Sequence, residues 1–331
     1  PNPAKTRGRG LIREMGDMGH GSAAMIGAMT KSKSKGKADK AKAKAAKGSG
    51  SASPKHPLHE VLRVGEGFEL SSIDPAGTPG FAGSRSDSEE ALAEGTPVLS
   101  DLQERLWAES RGGGTRSVLL VVQGMDTSGK GGIMRHVVST VDPQGIRYTA
   151  FKAPTAEERA HDFLWRIRNA LPAAGQIGVF DRSHYEDVLI ARVLGLVPRA
   201  TWMRRYATIN RFESQLADKG TTVLKVMLHI SKDEQKARLA ARLDRPDKYW
   251  KYNPGDLDQR AHWDEYMEAY QAALTRCSTE AAPWHVVPAN NKWYARWAVQ
   301  RLLLDTLTEL DPTWPPADFD VEAEKARLAG L

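Results

Sequence analysis

Short apolar runs alternate along the chain with longer segments of mixed polarity. The apolar runs lie at Ser117–Gln123, Ile146–Phe151, Ile177–Phe180, Val223–Ile230 and Trp284–Val287. Each is of strand length, and Val118–Val122 has no polar position at all. The intervening segments carry helical spacing: Lys130–Thr140, Thr155–Ala170, Ser183–Leu194, Ala200–Lys219 and Ser231–Leu243. Ser231 followed by Glu234 predicts a capping box. Two further helices are predicted at about Asp256–Cys277 and Lys292–Leu310, and one before the first strand, starting at Pro97 and ending near Ser110. Continuously apolar strands separated by helices predict a mostly parallel five-stranded sheet covered on both faces, an α/β three-layer α/β/α architecture.

Composition changes this picture at one end. Of 47 basic residues 13 fall within residues 1–55, against 3 of the 41 acidic ones. That segment carries +10, and the remaining 276 residues, with 34 bases and 38 acids, carry −4. Lys31–Gly48 has almost no apolar surface to bury, so residues 1–55 are expected to form a disordered basic tail that solubilises the chain or attracts polyanions without specificity. Met29 opens Met-Thr-Lys-Ser-Lys-Ser-Lys and is a candidate start. Residues 56–96 read as a turn-rich N-terminal extension, with turns at Asp74-Pro75-Ala76-Gly77 and Thr78-Pro79-Gly80. Residues 97–312 read as the main domain and 313–331 as a C-terminal extension. No apolar run reaches membrane-spanning length, and no apolar stretch of signal-peptide type follows the first basic residues. The single cysteine, Cys277, excludes a disulfide framework or a Cys-based zinc site and reads as a small helix residue. A reducing cytoplasm is the expected location. Because the high isoelectric point belongs to the tail, no specific nucleic-acid partner is expected.

The chemistry concentrates at Gly124-Met125-Asp126-Thr127-Ser128-Gly129-Lys130-Gly131. This stretch follows a buried strand and opens a helix, where glycines let backbone N–H groups approach phosphate oxygens and the helix N-terminus favours an anion. Lys130 would reach the phosphate that moves. Gly131 stands where Ser or Thr usually helps to hold Mg²⁺. A carboxylate inside such a loop repels its ligand unless a cation lies between them, so Asp126 is the candidate Mg²⁺ partner. Asp181 ends the third strand, at the edge where open parallel sheets bind ligands, and is the second candidate for Mg²⁺. Arg182 would offer its planar fork to phosphate oxygens. Glu186 and Asp187 read either as supporting carboxylates or nucleotide contacts, or as an exposed helix face. His184 reads as a packing or hydrogen-bonding residue, since no second His stands at metal spacing.

Basic residues surround these motifs. Arg135 lies on the helix after the loop, and Arg147 and Lys152 flank the second strand. Arg199, Arg204, Arg205 and Arg211, taken singly, read as a solvated helix face. Arg238, Arg242, Arg245, Lys248 and Lys251 lead through Asp247–Gly255, whose Pro, Gly and aromatics read as a mobile loop that excludes water and supplies cations.

Gly-Met-Asp-Thr-Ser-Gly-Lys-Gly-Gly, then Phe-Lys-Ala-Pro-Thr-Ala-Glu-Glu, then Gly-Val-Phe-Asp-Arg-Ser-His-Tyr-Glu-Asp-Val-Leu, then the 245–254 stretch and His-Trp-Asp-Glu-Tyr together resemble polyphosphate kinase family 2, in unbroken order over about Leu99–Pro312. The resemblance implies a P-loop kinase fold with a helical lid at about 242–262. It also implies phosphoryl transfer from inorganic polyphosphate to adenine or guanine nucleotides, with Mg²⁺ (Mn²⁺ as a substitute). Asp126, Lys130, Asp181 and Arg182 take the catalytic positions. Gly124, Gly129, Gly131, Arg135, Lys152, Arg242, Lys248 and Lys251 take phosphate- or polyphosphate-binding ones, and a homo-oligomer is expected. Ser183–Asp187 looks like members that accept both mono- and diphosphates. An ATP-dependent nucleoside monophosphate kinase and a non-enzymatic polyanion-binding protein are the alternatives.

Overall fold

This computed structural model describes residues 58–331; the basic tail predicted for residues 1–55 lies outside them. Five strands form the sheet: β1 (Ser117–Gln123), β2 (Ile146–Ala150), β3 (Ile177–Asp181), β4 (Thr221–His229) and β5 (Trp284–Pro288). Every pairing is parallel and the order is β2-β3-β1-β4-β5. β1 is central and all seven of its residues are buried, as its unbroken apolar run requires. β2 is an edge strand with no fully buried residue. In register, Val122 of β1 and Ala150 of β2 both lie beside Asp181, so the carboxyl ends of three strands meet there.

The main helices are α1 (Arg85–Arg111), α2 (Lys130–His136), α3 (Arg199–Asp218), α4 (Lys232–Leu243), α5 (Gly255–Ala261), α6 (Trp263–Cys277) and α7 (Lys292–Leu310). α7 packs on β4 and β5 and carries α1 and α2; α3 packs on β4 and on α6. The two groups flank the sheet, giving the expected α/β class.

Several boundaries differ from the sequence reading. α1 does not start at Pro97 but runs through it. Ser84 and Asp87 form a reciprocal capping box that provides a stronger start. Near the proline the Leu92 carbonyl accepts from the Thr96 hydroxyl (2.9 Å) and from the buried Gln300 amide of α7 (3.0 Å). The helix predicted over Thr155–Ala170 is two short pieces, because His161 is extended and the Asp162 carboxylate accepts from the Leu164 N–H. Ser183–Leu194 likewise begins as a 3-10 turn, His184–Asp187, capped by the Ser183 hydroxyl. Asp256–Cys277 breaks at His262 into α5 and α6. At α4 the Ser231 hydroxyl accepts from the Glu234 N–H, but Glu234 turns to Arg238 (2.6 Å), so only half of the capping box forms. The extension before α1 contributes Leu58, Leu62, Val64 and Leu70 to the core, and both predicted turns close with backbone hydrogen bonds.

Candidate active site

The glycine-rich segment forms a loop between β1 and α2. Gly124 has φ +150°, and a Cβ there would stand 2.7 Å from the Leu228 carbonyl oxygen of β4, so no side chain fits. Gly129 caps α2 at φ +117°, and Thr127 also adopts a left-handed conformation at φ +66°. Such backbone persists where its surroundings over-determine it. Here the brace is Arg238 of α4, which is buried. Its Nη1 donates to the carbonyls of Thr127 (2.9 Å) and Ser128 (3.0 Å), and its Nη2 to those of Ala289 (2.6 Å) and Asn290 (3.0 Å). Gln235, one turn earlier, donates to the Asp126 carbonyl (3.2 Å). The sequence reading grouped Arg238 with the lid cations, but every donor group of its guanidinium is committed beneath the loop. The signal available was helical spacing: Gln235, Arg238, Leu239 and Arg242 share one face.

Lys130 opens α2 and folds back over the loop, its ammonium donating to the carbonyls of Gly124 (2.7 Å) and Met125 (3.3 Å). Burial pulls the ammonium below the usual lysine range, and Asp126 partly offsets this.

The second motif closes on the first. Asp181 ends β3, and Arg182 follows at φ +64° with its N–H on the Val122 carbonyl (3.1 Å). That backbone turns the guanidinium onto the loop, where Nη2 meets Asp126 Oδ1 at 2.7 Å. The other guanidinium N–H groups of Arg182, Asp126 Oδ2 and Asp181 Oδ1 make no protein hydrogen bond among the described residues; Asp181 Oδ2 has only a long contact from the Tyr148 hydroxyl (3.5 Å). Glu186 accepts from the amide of Gln123 (3.0 Å), a buried polar residue at the end of β1 whose role the strand pattern does not show. Asp187 turns away: it pairs with Arg205 (3.0 Å), which also donates to its carbonyl. Burial raises the Asp187 carboxyl against the pull of Arg205.

Asp126, Arg182 and Glu186 form one wall of a cleft whose other wall is Gln259, Tyr266 and Tyr270. Burial, then Glu186, pushes the Tyr270 hydroxyl far above its usual range, so it stays a neutral donor. The segment predicted as a lid follows α4: a 3-10 turn over Pro246–Lys251, then α5. Arg242 donates to the Lys251 carbonyl (2.8 Å) and lies 3.4 Å from Asp256, fastening the lid across its base. Lys248 pairs with Asp247 (2.9 Å), and Lys251 lies over Trp250, itself 78% exposed. Arg260 of α5 donates to Gln235 Oε1 (3.1 Å), so one amide joins the lid to the loop.

Gly131 and Arg135 are exposed on α2. Arg135 has basic company that the apolar pattern of α7 concealed. Burial first, then Arg296 and Arg135, lowers His136; burial, then Arg85 and Arg135, lowers Arg296; burial, then Arg238, lowers Lys292. Lys152 is exposed beyond β2, in a separate cleft with Arg147 and Arg166, where Arg166 donates to its carbonyl (2.9 Å). Arg199, Arg204 and Arg211 are exposed, whereas Arg205 is taken up by Asp187. Among the described residues no group of three or more His, Cys, Asp or Glu is arranged to hold a metal, and no helix is long and apolar enough to cross a membrane. The open oxygens of Asp126 and Asp181 are nevertheless the hard donors Mg²⁺ takes, and Mg²⁺ commonly keeps one or two carboxylates beside water and substrate phosphate.

The AMP/ADP-polyphosphate phosphotransferase of Meiothermus ruber is 49% identical over 248 residues, covering 75% of this chain and 91% of that protein. The ADP-polyphosphate phosphotransferase of Rhodopseudomonas palustris is 41% identical over 272 residues, covering 77% and 91%. The crystal structure of polyphosphate kinase 2 from Arthrobacter aurescens TC1 superposes with a TM-score of 0.82 at 59% identity, covering 83% of this chain and 98% of that one. The polyphosphate kinase 2 family model matches residues 83–314, which enclose the loop, the Asp181-Arg182 strand end and the lid, and the chain belongs to that family.

Proposed function

We propose that this protein transfers phosphoryl groups from inorganic polyphosphate to AMP and ADP, with Mg²⁺. The observation that carries this reading is the closure of the phosphate loop by the Asp126–Arg182 pair, with Lys130 across its mouth. An anionic nucleotide phosphate is already a nucleophile, so the site needs no general base; it needs positioning and charge neutralisation. Lys130 exchanges its two loop carbonyls for a phosphate oxygen. Arg182 keeps one nitrogen on Asp126 and turns its remaining donors to the transferred group. Asp126 and Asp181 are the residues that would hold Mg²⁺, which when bound neutralises charge on the phosphates. The basic face of Arg135, Lys292 and Arg296, with Lys152 beyond β2 and Lys248 and Lys251 on the lid, suits a flexible polyanion better than a compact donor. Glu186, Tyr266 and Tyr270 border the cleft in which the acceptor is placed. The lid spans about 242–262 in a phosphotransferase domain over 97–312, and the site of action is the cytoplasm.

A cleft fastened by terminal phosphates rather than by a base pocket accommodates a nucleoside displaced by one phosphate. AMP therefore yields ADP and then ATP. Chromatography of AMP, ADP and ATP during incubation with long-chain polyphosphate and Mg²⁺ tests this, with ATP as a competing donor. The Lys130→Ala protein, folded by circular dichroism, should be slower by about 100-fold or more, since a charge on the transferred group is lost. ADP without later ATP means a monophosphate acceptor only, no reaction until ADP is supplied means a diphosphate acceptor only, and turnover with ATP but not polyphosphate means a nucleoside monophosphate kinase.

A further inference from the structure

Behind the Asp181-Arg182 strand end lies a charged cluster wholly removed from water. Glu213 of α3, Lys225 of β4, and His184 and Tyr185 of the 3-10 turn are each 0% exposed. Glu213 Oε1 accepts from His184 Nε2 (3.1 Å) and from the Tyr185 hydroxyl (2.9 Å); Oε2 accepts from Lys225 Nζ (2.5 Å). Lys225 donates further to Tyr185 Oη (2.8 Å) and to the Cys277 carbonyl at the end of α6 (2.7 Å). Glu213 and Lys225 together therefore join a strand, two helices and a turn.

A buried ion pair is a poor stabiliser, since apolar side chains of similar volume often serve as well or better. What this pair does hold is particular. His184 and Tyr185 are two of the three residues between Arg182 and Glu186, whose side chains line the cleft. Arg182 stands at φ +64° and Ser183 is fully extended, a sharp reversal that needs both ends fastened. The upstream end is fastened by β3 and the Val122 carbonyl. The downstream end is fastened by Glu213.

We propose that Glu213, acting through His184 and Tyr185, is a positioning residue that fixes the direction of Arg182 and Glu186 in the cleft, with Lys225 holding Glu213 in place. This rests on the phosphotransfer reading only where turnover is the readout.

His184→Leu separates positioning from stability. It removes one hydrogen bond to Glu213 but also His184 Nδ1, which is buried without a partner, and Glu213 keeps Tyr185 and Lys225. The expected result is a folded protein whose kcat falls about 10- to 100-fold, because a displaced Arg182 meets the phosphate poorly. Its KM for polyphosphate stays within about twofold, since the exposed cations are untouched. Amide hydrogen exchange over residues 182–187 speeds up. His184→Gln, which places a side-chain N–H at similar reach, restores both readouts. Unchanged kcat and exchange in folded His184→Leu, or His184→Gln as impaired as His184→Leu, overturns the proposal. If His184→Leu does not fold, Tyr185→Phe takes its place: Lys225 keeps Glu213 and the Cys277 carbonyl, and wild-type kcat and exchange in that protein overturn the proposal equally. If the unmodified protein shows no polyphosphate turnover, the phosphotransfer reading fails, and hydrogen exchange alone decides this one.

Discussion

Replacing Arg238 by Met tests whether the phosphate loop is held from beneath. The substitution keeps much of the buried aliphatic volume and removes the guanidinium. Four backbone carbonyls, at Thr127, Ser128, Ala289 and Asn290, lose their donor, and Glu234 loses its ion-pair partner. Hydrogen bonds to a charged group contribute about 1.5–3 kcal/mol each but are far from additive when they share one group. Removing one member of a buried charged network costs about 3–5 kcal/mol in total. In a domain of this size each kcal/mol shifts Tm by about 2–4 °C, so a fall of roughly 6–20 °C is expected by differential scanning fluorimetry. Thr127, no longer fastened, relaxes from its left-handed conformation, and kcat for polyphosphate-dependent nucleotide phosphorylation drops about 100-fold, as for an ångström-scale misplacement. Arg238→Lys should fall between, because one ammonium cannot reach both pairs of carbonyls. An Arg238→Met protein with wild-type Tm refutes the brace. If kcat alone falls, Arg238 meets the substrate directly and the reasoning from its committed donors is wrong.

Asp126→Asn and Asp181→Asn should each lose most activity and shift the Mg²⁺ titration of the rate, with Asp126→Asn the more severe because it also releases Arg182; a variant with an unaltered rate and titration assigns that carboxylate a structural role. Burial holds His229 and His285 at about 4, below their ordinary 6.5, so both fold as neutral imidazoles. The unfolded chain binds more protons between those values, so stability is full above pH 6.5 and is lost as pH falls towards 4, by at most about 3 kcal/mol per histidine. Urea midpoints should therefore drop between pH 7 and pH 5, and His285→Gln should flatten the slope; a parallel slope removes His285 from this account.

The strands and the phosphate loop were legible because their signals are local. Val118–Val122 is apolar throughout because β1 is buried on both faces, and Gly124 and Gly129 fall where a side chain or an ordinary φ would not serve. Helix ends were less legible. Thr155–Ala170 carries helical periodicity, yet one extended residue, His161, divides it, and periodicity is insensitive to a single break. The start of α1 was misplaced because a proline in a first helical turn is a familiar signal, while Ser84 with Asp87 was passed over. The pairing of Asp126 with Arg182 could not be read at all: 56 residues separate them, and only the parallel register of β1 with β3 brings them together. Glu213 and Lys225 were silent for the same reason, one sitting in a charged helix and the other inside an apolar strand.

The basic residues divide by a criterion no sequence carries, namely how many of their donors are already committed. Arg238, Arg205 and Arg182 look alike along the chain. Arg238 has all its donor groups on carbonyls and Glu234, so it can shape a phosphate site but cannot bind a phosphate without letting go of the loop. Arg205 is held by Asp187 and by that residue's carbonyl. Arg182 has one nitrogen on Asp126, which aims it, and the others remain for a ligand. The same count separates the lid cations: Arg242 is engaged at the lid base, Lys248 is shared with Asp247, and Lys251, among the described residues, has only the face of Trp250. A polyanion can displace an exposed pair such as Lys248–Asp247, because surface pairs contribute little. It cannot displace Arg238, because the carbonyls left behind would be buried and unpaired. Raising the salt concentration should therefore weaken the grip of the exposed cations on polyphosphate while leaving the loop geometry intact, since screening acts on solvated charges and not on buried ones.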